Sequence, residues 1–202
     1  MKSESAAILT SRENRIEDFE IILEVLSGNR EAYAEIVRRY EARVRGYCLT
    51  MLSDPTAAED AAQEIFIKAY QALAGFRGNA SFSTWLYRIA ANHCTDALRK
   101  KARRKTESWE ALLEKDGERI EALFSVFSDV ESSERAELVA KLLSHLTEKS
   151  KAILTLREIH GLSYQELAET LECSLDAVKA RLKRARQEAE IKWRHLFKVR
   201  DV

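Results

Sequence analysis

The sequence predicts an all-α protein made of two small helical domains joined by an acidic linker. The 202 residues include only six Gly and one Pro, whereas a sandwich or barrel of short strands needs a turn about every 8–12 residues. Hydrophobic residues make up 46% of the chain, which is enough to build a buried core. Apolar residues also recur at helical spacing through most of the sequence.

Charge divides the chain into three segments, although the formal net charge is zero. Residues 1–105 carry 17 Lys and Arg against 14 Asp and Glu, and residues 141–202 carry 13 against 9. Residues 106–140 between them carry 3 against 10. Two basic segments flanking an acidic one are typical of domains that bind nucleic acid, although ordinary solvated helix faces can give the same pattern.

The first domain, residues 16–105, is predicted to hold four helices after a flexible tail over residues 1–15. The first helix carries an apolar stripe and ends at Gly28, a residue type that readily forms a left-handed C-cap. The second helix covers residues 30–52, where apolar positions again recur three or four apart. The stripe of the first helix comprises Phe19, Ile22, Leu23 and Leu26.

Turn and capping residues mark the third and fourth helices. Thr56 and Glu59 have the spacing of a capping box and predict the start of the third helix, which stops at Gly75. The fourth helix is predicted to start within residues 81–83 and to run into a basic segment at residues 99–105.

The second domain, residues 134–202, follows the acidic linker over residues 106–133 and is predicted to contain a helix-turn-helix unit. Ser163 and Glu166 form a capping-box pattern that opens a short helix, and Ser174 then caps a long last helix. A short helix, a tight turn and a longer helix have the spacing of this unit. The residues expected to pack its two helices together are Leu167, Ala168, Leu171, Leu175, Val178 and Leu182.

One face of the last helix is basic and predicts binding to duplex DNA, with a solvated basic helix as the alternative. A helix fits the major groove, where its first residues face base edges and later ones hold phosphates. The first group comprises Ser174, Asp176 and Lys179, the second Lys183, Arg184 and Arg186, and Arg181 shares the basic face.

A hydrogen-bonding stripe on the fourth helix predicts contact with single-stranded bases. At 100° per residue its polar members fall within about 80° of one another. They are Thr84, Arg88, Asn92, Thr95 and Arg99, with Phe76 and Asn79 in the loop beside them. Unstacked bases need a flat aromatic face and polar partners for their edges. In the alternative interpretation, Phe76 and Trp85 are core residues and Arg88 is a surface charge.

A polar patch on the third helix, formed by Asp60, Gln63, Glu64 and Ile67, lies away from its apolar stripe. A polar patch containing one aliphatic side chain suits a protein docking face. A merely solvated surface is the alternative.

Catalytic, metal and membrane functions find no support in the sequence. Cys48, Cys94 and Cys173 are far apart and form no metal-binding pair, which fits a reducing compartment, and Cys48 is expected in the core. His93, Cys94 and Asp96 cannot converge as a catalytic set on one helix. No apolar segment has the length of a signal-peptide core or a membrane span. We therefore expect a cytoplasmic protein that is not an enzyme and has no cofactor or metal.

Three stretches together resemble one known family, in its order and spacing. They are TAAEDAAQEIFIKAY over residues 56–70, GFRG and FSTWLYRIAAN within residues 75–92, and GLSYQELA and VKARLKRAR within residues 161–186. The chain in this respect is similar to bacterial RNA polymerase sigma factors of the compact extracytoplasmic-function (ECF) group.

The resemblance implies a transcription initiation factor with a region-two bundle over residues 16–105 and a region-four helix-turn-helix domain over residues 134–202. Its partners would be core RNA polymerase, promoter DNA and an anti-sigma protein. Asp60, Gln63 and Glu64 match positions that dock on the polymerase. Phe76 and Asn92 match the pocket for a base flipped from the minus-ten element, and Trp85 to Arg88 match the surface that supports strand opening. Ser174 to Arg186 match the helix that reads the minus-thirty-five element.

The chain departs from the family where the last helix begins. Asp176 and Ala177 stand where Gly-Thr is frequent, and Ala180 replaces a frequent Ser. A carboxylate at Asp176 would accept a hydrogen bond from a cytosine amino group and repel phosphate. The promoter sequence therefore does not follow from the resemblance.

Two other functions remain open at the level of sequence. A stand-alone helix-turn-helix regulator would explain the second domain but leave Phe76 and Asn92 unused. A helical adaptor would bind only protein. As a sigma factor, the isolated chain is expected to bind promoters weakly, because two tethered weak sites gain strength only when core polymerase fixes their spacing. A stand-alone regulator would bind duplex DNA without polymerase.

Overall fold

The computed structural model describes residues 16–106 and 133–197, and the regular structure of these residues is entirely helical. In chain order the helices are α1 (16–26), α2 (Tyr33–Leu52), α3 (Pro55–Ala72), α4 (Phe82–Thr106), α5 (Ser133–Ser144), α6 (Glu148–Leu154), α7 (Tyr164–Thr170) and α8 (Leu175–Phe197). Short 3-10 turns at Arg30–Ala32 and Leu73–Gly75 precede α2 and follow α3, and a π turn at Thr155–Ile159 extends α6. The all-α prediction is confirmed, whereas the predicted tail over residues 1–15 and linker residues 107–132 lie outside the described residues.

Helices α1 to α4 form a first lobe around one apolar core. The largest fully buried side chains in this core include Ile36 and Tyr47 of α2, Ile65 of α3 and Leu86 of α4. Cys48 is fully buried, as predicted for a core residue, and its Sγ lies 3.8 Å from that of Cys94. The close packing of α2, α3 and α4 fixes the position of the loop that precedes α4.

Helix α1 turns a different face to the core from the one predicted. Of the four residues in the predicted stripe, only Ile22 is buried, at 1% exposure, and Phe19, Leu23 and Leu26 are 44–52% exposed. The buried face instead consists of Asp18, Ile22 and Val25, and the Asp18 carboxylate accepts a hydrogen bond from the Tyr40 hydroxyl. Burial raises the pKa of the Asp18 carboxyl above its ordinary value, and the hydrogen bond from Tyr40 opposes that rise.

The start of α3 is also set by a residue other than the one predicted. Asp54 is the N-cap, and its side chain accepts a hydrogen bond from the amide of Ala57 at 3.0 Å. Pro55 follows in the first turn, where its missing N–H costs nothing. The capping box predicted at Thr56 and Glu59 is therefore wrong, because the extended residue before the proline already supplies the cap.

Helices α5 to α8 form a second lobe that contains the predicted helix-turn-helix unit. The reciprocal capping box of Ser163 and Glu166 opens α7, and Ser174 accepts a hydrogen bond from the amide of Ala177 at the start of α8. Leu167, Val178 and Leu182 are buried at the crossing of these helices, as predicted. Leu175 is instead 41% exposed, because it is the first residue of α8 and the crossing lies about one turn further along.

The two lobes are in direct contact through α4 and α7. Tyr87 of α4 shares a hydrogen bond of 2.8 Å with the Nδ1 of His160, which follows the π turn of the second lobe. The imidazole also packs against the rings of Tyr87 and Tyr47, at centroid distances of 4.8 and 6.0 Å. Buried apolar residues of both lobes consequently form one continuous cluster.

None of the described helices combines the length and the apolar character that a membrane crossing requires.

Replacing the N-cap of α3 should destabilise the first lobe. We expect Asp54→Ala to lower the free energy of unfolding by about 1 kcal/mol, because the amide of Ala57 loses its acceptor. Urea denaturation followed by circular dichroism measures the change. Asp54→Asn is the matched control, since asparagine caps helices about as well as aspartate. Equal losses for both variants would contradict the capping role.

Candidate nucleic-acid interface

A pocket of about 170 Å³ lies between the loop that precedes α4 and the first two turns of that helix. Its lining residues are Gly75, Phe76, Arg77, Gly78, Asn79, Ala80, Thr84, Trp85, Arg88 and Glu169. The pocket therefore brings together five of the residues predicted for this site: Phe76, Asn79, Thr84, Trp85 and Arg88. The pocket combines aromatic surface with amide and guanidinium groups, which is the chemistry an unstacked base requires.

An aromatic cluster forms the apolar wall of this pocket. The ring of Phe76 lies 5.4 Å from that of Trp85 and 5.7 Å from that of Phe82, measured between centroids. Phe82 is buried and in turn contacts Tyr40 in the core of the first lobe. Phe76 and Trp85 are only half-buried, so each keeps part of its ring available for stacking. One part of each ring therefore packs against the core, as the structural interpretation expects. The other part stays accessible, as the binding interpretation requires.

The opposite wall is polar and partly held by the loop geometry. Gly78 has a φ of 70°, a left-handed conformation that favours glycine, and Asn79 beside it is exposed. The Arg88 side chain is 40% exposed and lies 3.8 Å from the carboxylate of Glu172. One of the two cations that line the pocket is therefore already opposed by an acid from the second lobe.

The remaining members of the predicted stripe lie beyond the pocket along α4. Asn92 and Arg99 are exposed, and Arg99 forms an ion pair of 3.6 Å with Asp96. Thr95 donates its hydroxyl to the carbonyl of Ala91 at 2.7 Å, so its hydrogen is used within the helix. From Arg88 to Arg99 the stripe extends over about 16 Å at 1.5 Å per residue. It can follow several nucleotides, and only its first part adjoins the pocket.

Two features of the pocket escaped the sequence analysis. Arg77 lines it from the loop, and Glu169 lines it from α7 of the second lobe. Thr84, which was expected on the binding stripe, is instead buried at 2% exposure under that helix. The sequence did carry one signal, since Glu166 and Glu169 are spaced three apart and share a face of α7.

The basic face of α8 is open along its length. Every residue predicted to contact duplex DNA is exposed: Ser174, Asp176, Lys179, Arg181, Lys183, Arg184 and Arg186. Asp176 and Lys179 form an ion pair at 3.2 Å, and Arg186 forms one at 2.8 Å with Glu158. Exposed pairs of this kind contribute little stability, so phosphates can displace the acidic partners readily.

The polar patch on α3 lies opposite the residues that the helix buries. Asp60, Gln63 and Glu64 are exposed, and Ile67 beside them is 57% exposed. His93 of α4 borders the patch, with its Nδ1 2.7 Å from the ammonium of Lys68 and 3.9 Å from the carboxylate of Glu64. Burial and the charge of Lys68 lower the pKa of His93, while Glu64 raises it.

The chain matches two sequence families, each of which describes one region of sigma-70 proteins. Residues 36–104 match sigma-70 region 2, and residues 136–188 match sigma-70 region 4. The first match includes the α3 patch and the pocket, and the second includes the helix-turn-helix unit. Within the described residues no group of three or more His, Cys, Asp and Glu side chains is placed to hold a metal ion.

Several characterised proteins are similar over nearly the whole length. The RNA polymerase sigma-H factor of Pseudomonas aeruginosa is 36% identical, over 85% of this chain and 91% of the relative. The ECF RNA polymerase sigma-E factors of Haemophilus influenzae and Escherichia coli K12 are 34% and 32% identical. These two alignments cover 88% and 91% of this chain, and 96% and 98% of the relatives. The chain belongs to the ECF sigma factors. This family consists of transcription initiation factors that are not enzymes. Membership in it does not favour the alternative function, a stand-alone regulator.

Solved sigma-factor structures share the fold. The structure of CnrH in complex with the cytosolic domain of CnrY matches with a TM-score of 0.62 and 25% identity, over 85% of this chain and 93% of that one. The sigma factor RpoE in complex with the anti-sigma factor NepR from Bartonella quintana matches with a TM-score of 0.66 and 21% identity, over 84% and 98%. The two-lobed arrangement of an ECF sigma factor therefore agrees with the predicted architecture.

The titration of His93 tests the electrostatics of the α3 patch in this sigma factor. Lys68→Met should raise the pKa of His93, because it removes the cation beside Nδ1. Glu64→Gln should lower it, because it removes the carboxylate that favours the imidazolium. NMR titration of the imidazole resonances measures both changes. Shifts of the same sign in the two variants would contradict the arrangement.

Proposed function

We propose that this ECF sigma factor directs core RNA polymerase to promoters by reading the minus-ten element as an opened single strand and the minus-thirty-five element as duplex. In this proposal residues 16–105 form region two and residues 134–202 form region four. The observation that carries it is the pocket in which Phe76, Trp85 and Arg88 meet. A stand-alone regulator of duplex DNA would have no use for such a pocket.

Capture of a flipped base is the role we assign to this pocket. A base leaving the stack loses its neighbours and gains a new stacking surface on Phe76 or Trp85, which are half-buried and keep part of each ring accessible. Asn79 and Arg88 supply donors and an acceptor for the edges of the base. The exposed Asn92 and Arg99, with the half-buried Thr95 between them, would then follow the strand along α4. In this arrangement the pocket recognises the base, and the later residues of α4 position the backbone of the strand.

Recognition of the minus-thirty-five element is assigned to α8. Ser174 caps this helix, and Asp176 and Lys179 lie in its first turn and a half, the part of a recognition helix that faces base edges. Arg181, Lys183, Arg184 and Arg186 lie further along, where they would hold phosphates. Asp176 favours a cytosine amino group at its position and disfavours close phosphates.

Core RNA polymerase would bind the α3 patch, and it would act with this protein in the cytoplasm. Asp60, Gln63 and Glu64 offer polar groups around the exposed aliphatic side chain of Ile67, as a docking surface requires. An anti-sigma protein is the further partner we propose. The structurally similar RpoE was solved with the anti-sigma factor NepR.

Binding to core polymerase tests the α3 patch directly. We expect the wild-type chain to co-elute stoichiometrically with bacterial core polymerase in gel filtration. The double variant Asp60→Ala, Gln63→Ala should fail to do so, because the patch loses two polar contacts. The matched control is Asn29→Ala, Glu41→Ala, which removes one amide and one acid from exposed positions outside α3. Co-elution of the Asp60 and Gln63 variant would contradict this assignment.

Promoter opening tests the pocket. Run-off transcription from genomic fragments with the reconstituted holoenzyme first identifies its promoters. On these promoters Phe76→Ala should reduce open complexes by roughly 5- to 150-fold, since stacking on an aromatic contributes about 1–3 kcal/mol per base. Phe76→Trp should keep most of the activity, because it preserves the stacking surface. Permanganate footprinting measures the opened strand. Full opening by Phe76→Ala would overturn the role of the pocket.

A further inference from the structure

Helix α1 leaves an apolar face uncovered, and a groove of about 600 Å³ lies between this face and the loop that precedes α4. Phe19 and Leu23 of this face are about half exposed, and Ile16 is exposed at the start of the helix. Single exposed apolar side chains are common, but a row of them along a groove indicates a binding surface. The apolar lining of this α1 groove comprises Ile16, Phe19, Leu23, Phe76, Ala80 and Phe82.

The α1 groove shares one wall with the proposed base pocket. Phe76, Arg77, Gly78 and Ala80 line both cavities. The loop also lies directly against α1, since a Cβ placed on Gly78 would be 3.5 Å from the ring of Phe19. An occupant of the groove would therefore contact the same loop that presents Phe76 to the pocket.

The charge of α1 disfavours two classes of occupant. This helix contains acids and no Lys or Arg. Glu20 lines the groove, and Glu24 is exposed one turn further along. A nucleic-acid strand would bring its phosphates near these carboxylates, and a second copy joined by two-fold symmetry would bring the same carboxylates face to face. The surface instead fits an apolar segment that is flanked by cations.

The segment immediately before α1 has this composition. Residues 1–15 lie outside the described residues, and their sequence contains the apolar run Ala6-Ala7-Ile8-Leu9. The run is joined to α1 by the polar sequence TSRENR over residues 10–15, which carries two arginines and one glutamate. Apolar side chains for the groove and cations for the acids of α1 are therefore present in one short stretch.

The length of this connection allows the run to reach the groove. The six residues 10–15 span at most about 20 Å when extended. The distance along α1 from Ile16 to Leu23 is only about 10 Å at 1.5 Å per residue. Because Ile16 itself lines the groove, the run is tethered at the edge of its site, and a short tether gives an effective concentration in the millimolar range.

We propose that residues 6–9 fold back into the α1 groove, where Ile8 and Leu9 cover Phe19 and Leu23 and support the loop that carries Phe76. The proposal assigns to a binding site four residues of the segment that the sequence predicts to be a flexible tail. Its consequence rests on the proposed function, because the supported loop is a wall of the pocket assigned to the flipped base. A loop that is already held in one conformation loses less entropy when the base binds.

Photo-crosslinking of the full chain tests the contact in the absence of DNA. Benzoylphenylalanine is incorporated in place of Leu9, and crosslinked peptides are identified by mass spectrometry. We expect crosslinks within one chain to the peptides that contain Phe19, Leu23 or the loop. Mixing isotope-labelled and unlabelled chains distinguishes these crosslinks from crosslinks between two copies.

Variants of α1 test whether the groove itself is the site of crosslinking. Phe19→Gln, Leu23→Gln should reduce the crosslinks by about fivefold or more, because the groove loses most of its apolar surface on α1. The matched control is Leu26→Gln, Ile191→Gln, which makes the same chemical change at two exposed apolar positions that do not line the groove. The control should keep the crosslinks.

Hydrogen exchange and promoter opening measure what the contact does to the loop. Ile8→Asn, Leu9→Asn should speed amide exchange in residues 76–80 by about threefold to tenfold, because the loop loses its support. In the reconstituted holoenzyme it should reduce open complexes at the mapped promoters by about threefold or more. Ser3→Asn, Ser5→Asn changes the same segment outside the apolar run and should leave both measurements unchanged.

Four results would overturn the inference. They are crosslinks only between different chains, no crosslinks to α1 or the loop, crosslinks that persist in Phe19→Gln, Leu23→Gln, and unchanged exchange in Ile8→Asn, Leu9→Asn. Failure of the proposed function is distinguishable, because crosslinking and exchange are measured without DNA. If both succeed while Phe76→Ala opens promoters fully, the assignment of the pocket fails and the contact of residues 6–9 stands. If Phe76→Ala blocks opening and no crosslinks form, the inference alone fails.

Discussion

Helix α4 has to serve three surfaces at once, and the rest of the structure depends on how its faces are divided. Leu86, Ala90 and Cys94 form the face buried in the first lobe. Roughly 100° further around the helix, Tyr87 faces the second lobe, and another step of about 100° reaches Arg88 on the side of the pocket. Because all three faces belong to one rigid helix, the pocket, the core and the contact between the lobes have fixed relative positions.

The aromatic cluster joins the stability of the first lobe to the geometry of the pocket. Phe82 is buried against Tyr40 on one side and contacts Phe76 and Trp85 on the other. The hydroxyl of the same Tyr40 is bound by the buried Asp18, which orients α1. Phe76, which we propose to stack on a base, is thus held in place by contacts with the hydrophobic core of the first lobe. Such support limits the movement of a binding residue and lowers the entropy lost when a ligand is bound.

Charge pairing on the two surfaces that we propose to bind DNA explains how a protein of zero net charge can carry them. Arg88 lies near Glu172, Arg186 pairs with Glu158, and Lys179 pairs with Asp176. These pairs are exposed, so each holds its cation weakly. Phosphates can therefore replace the acidic partners readily. Basic side chains are thus partly balanced by acidic neighbours on each of these surfaces, just as the charges of the whole chain sum to zero.

The sequence by itself determined the helical fold, most helix boundaries and the residue types of the pocket, because periodicity, capping and turn chemistry act over a few neighbouring residues. The capping box at Ser163 and Glu166 and the start of α8 after Ser174 are examples. Only the tertiary structure decided which face of α1 is buried and that α7 covers Thr84. Both depend on partners distant in sequence, Tyr40 for Asp18 and Thr170 for Thr84, and local periodicity carries no information about which surfaces meet.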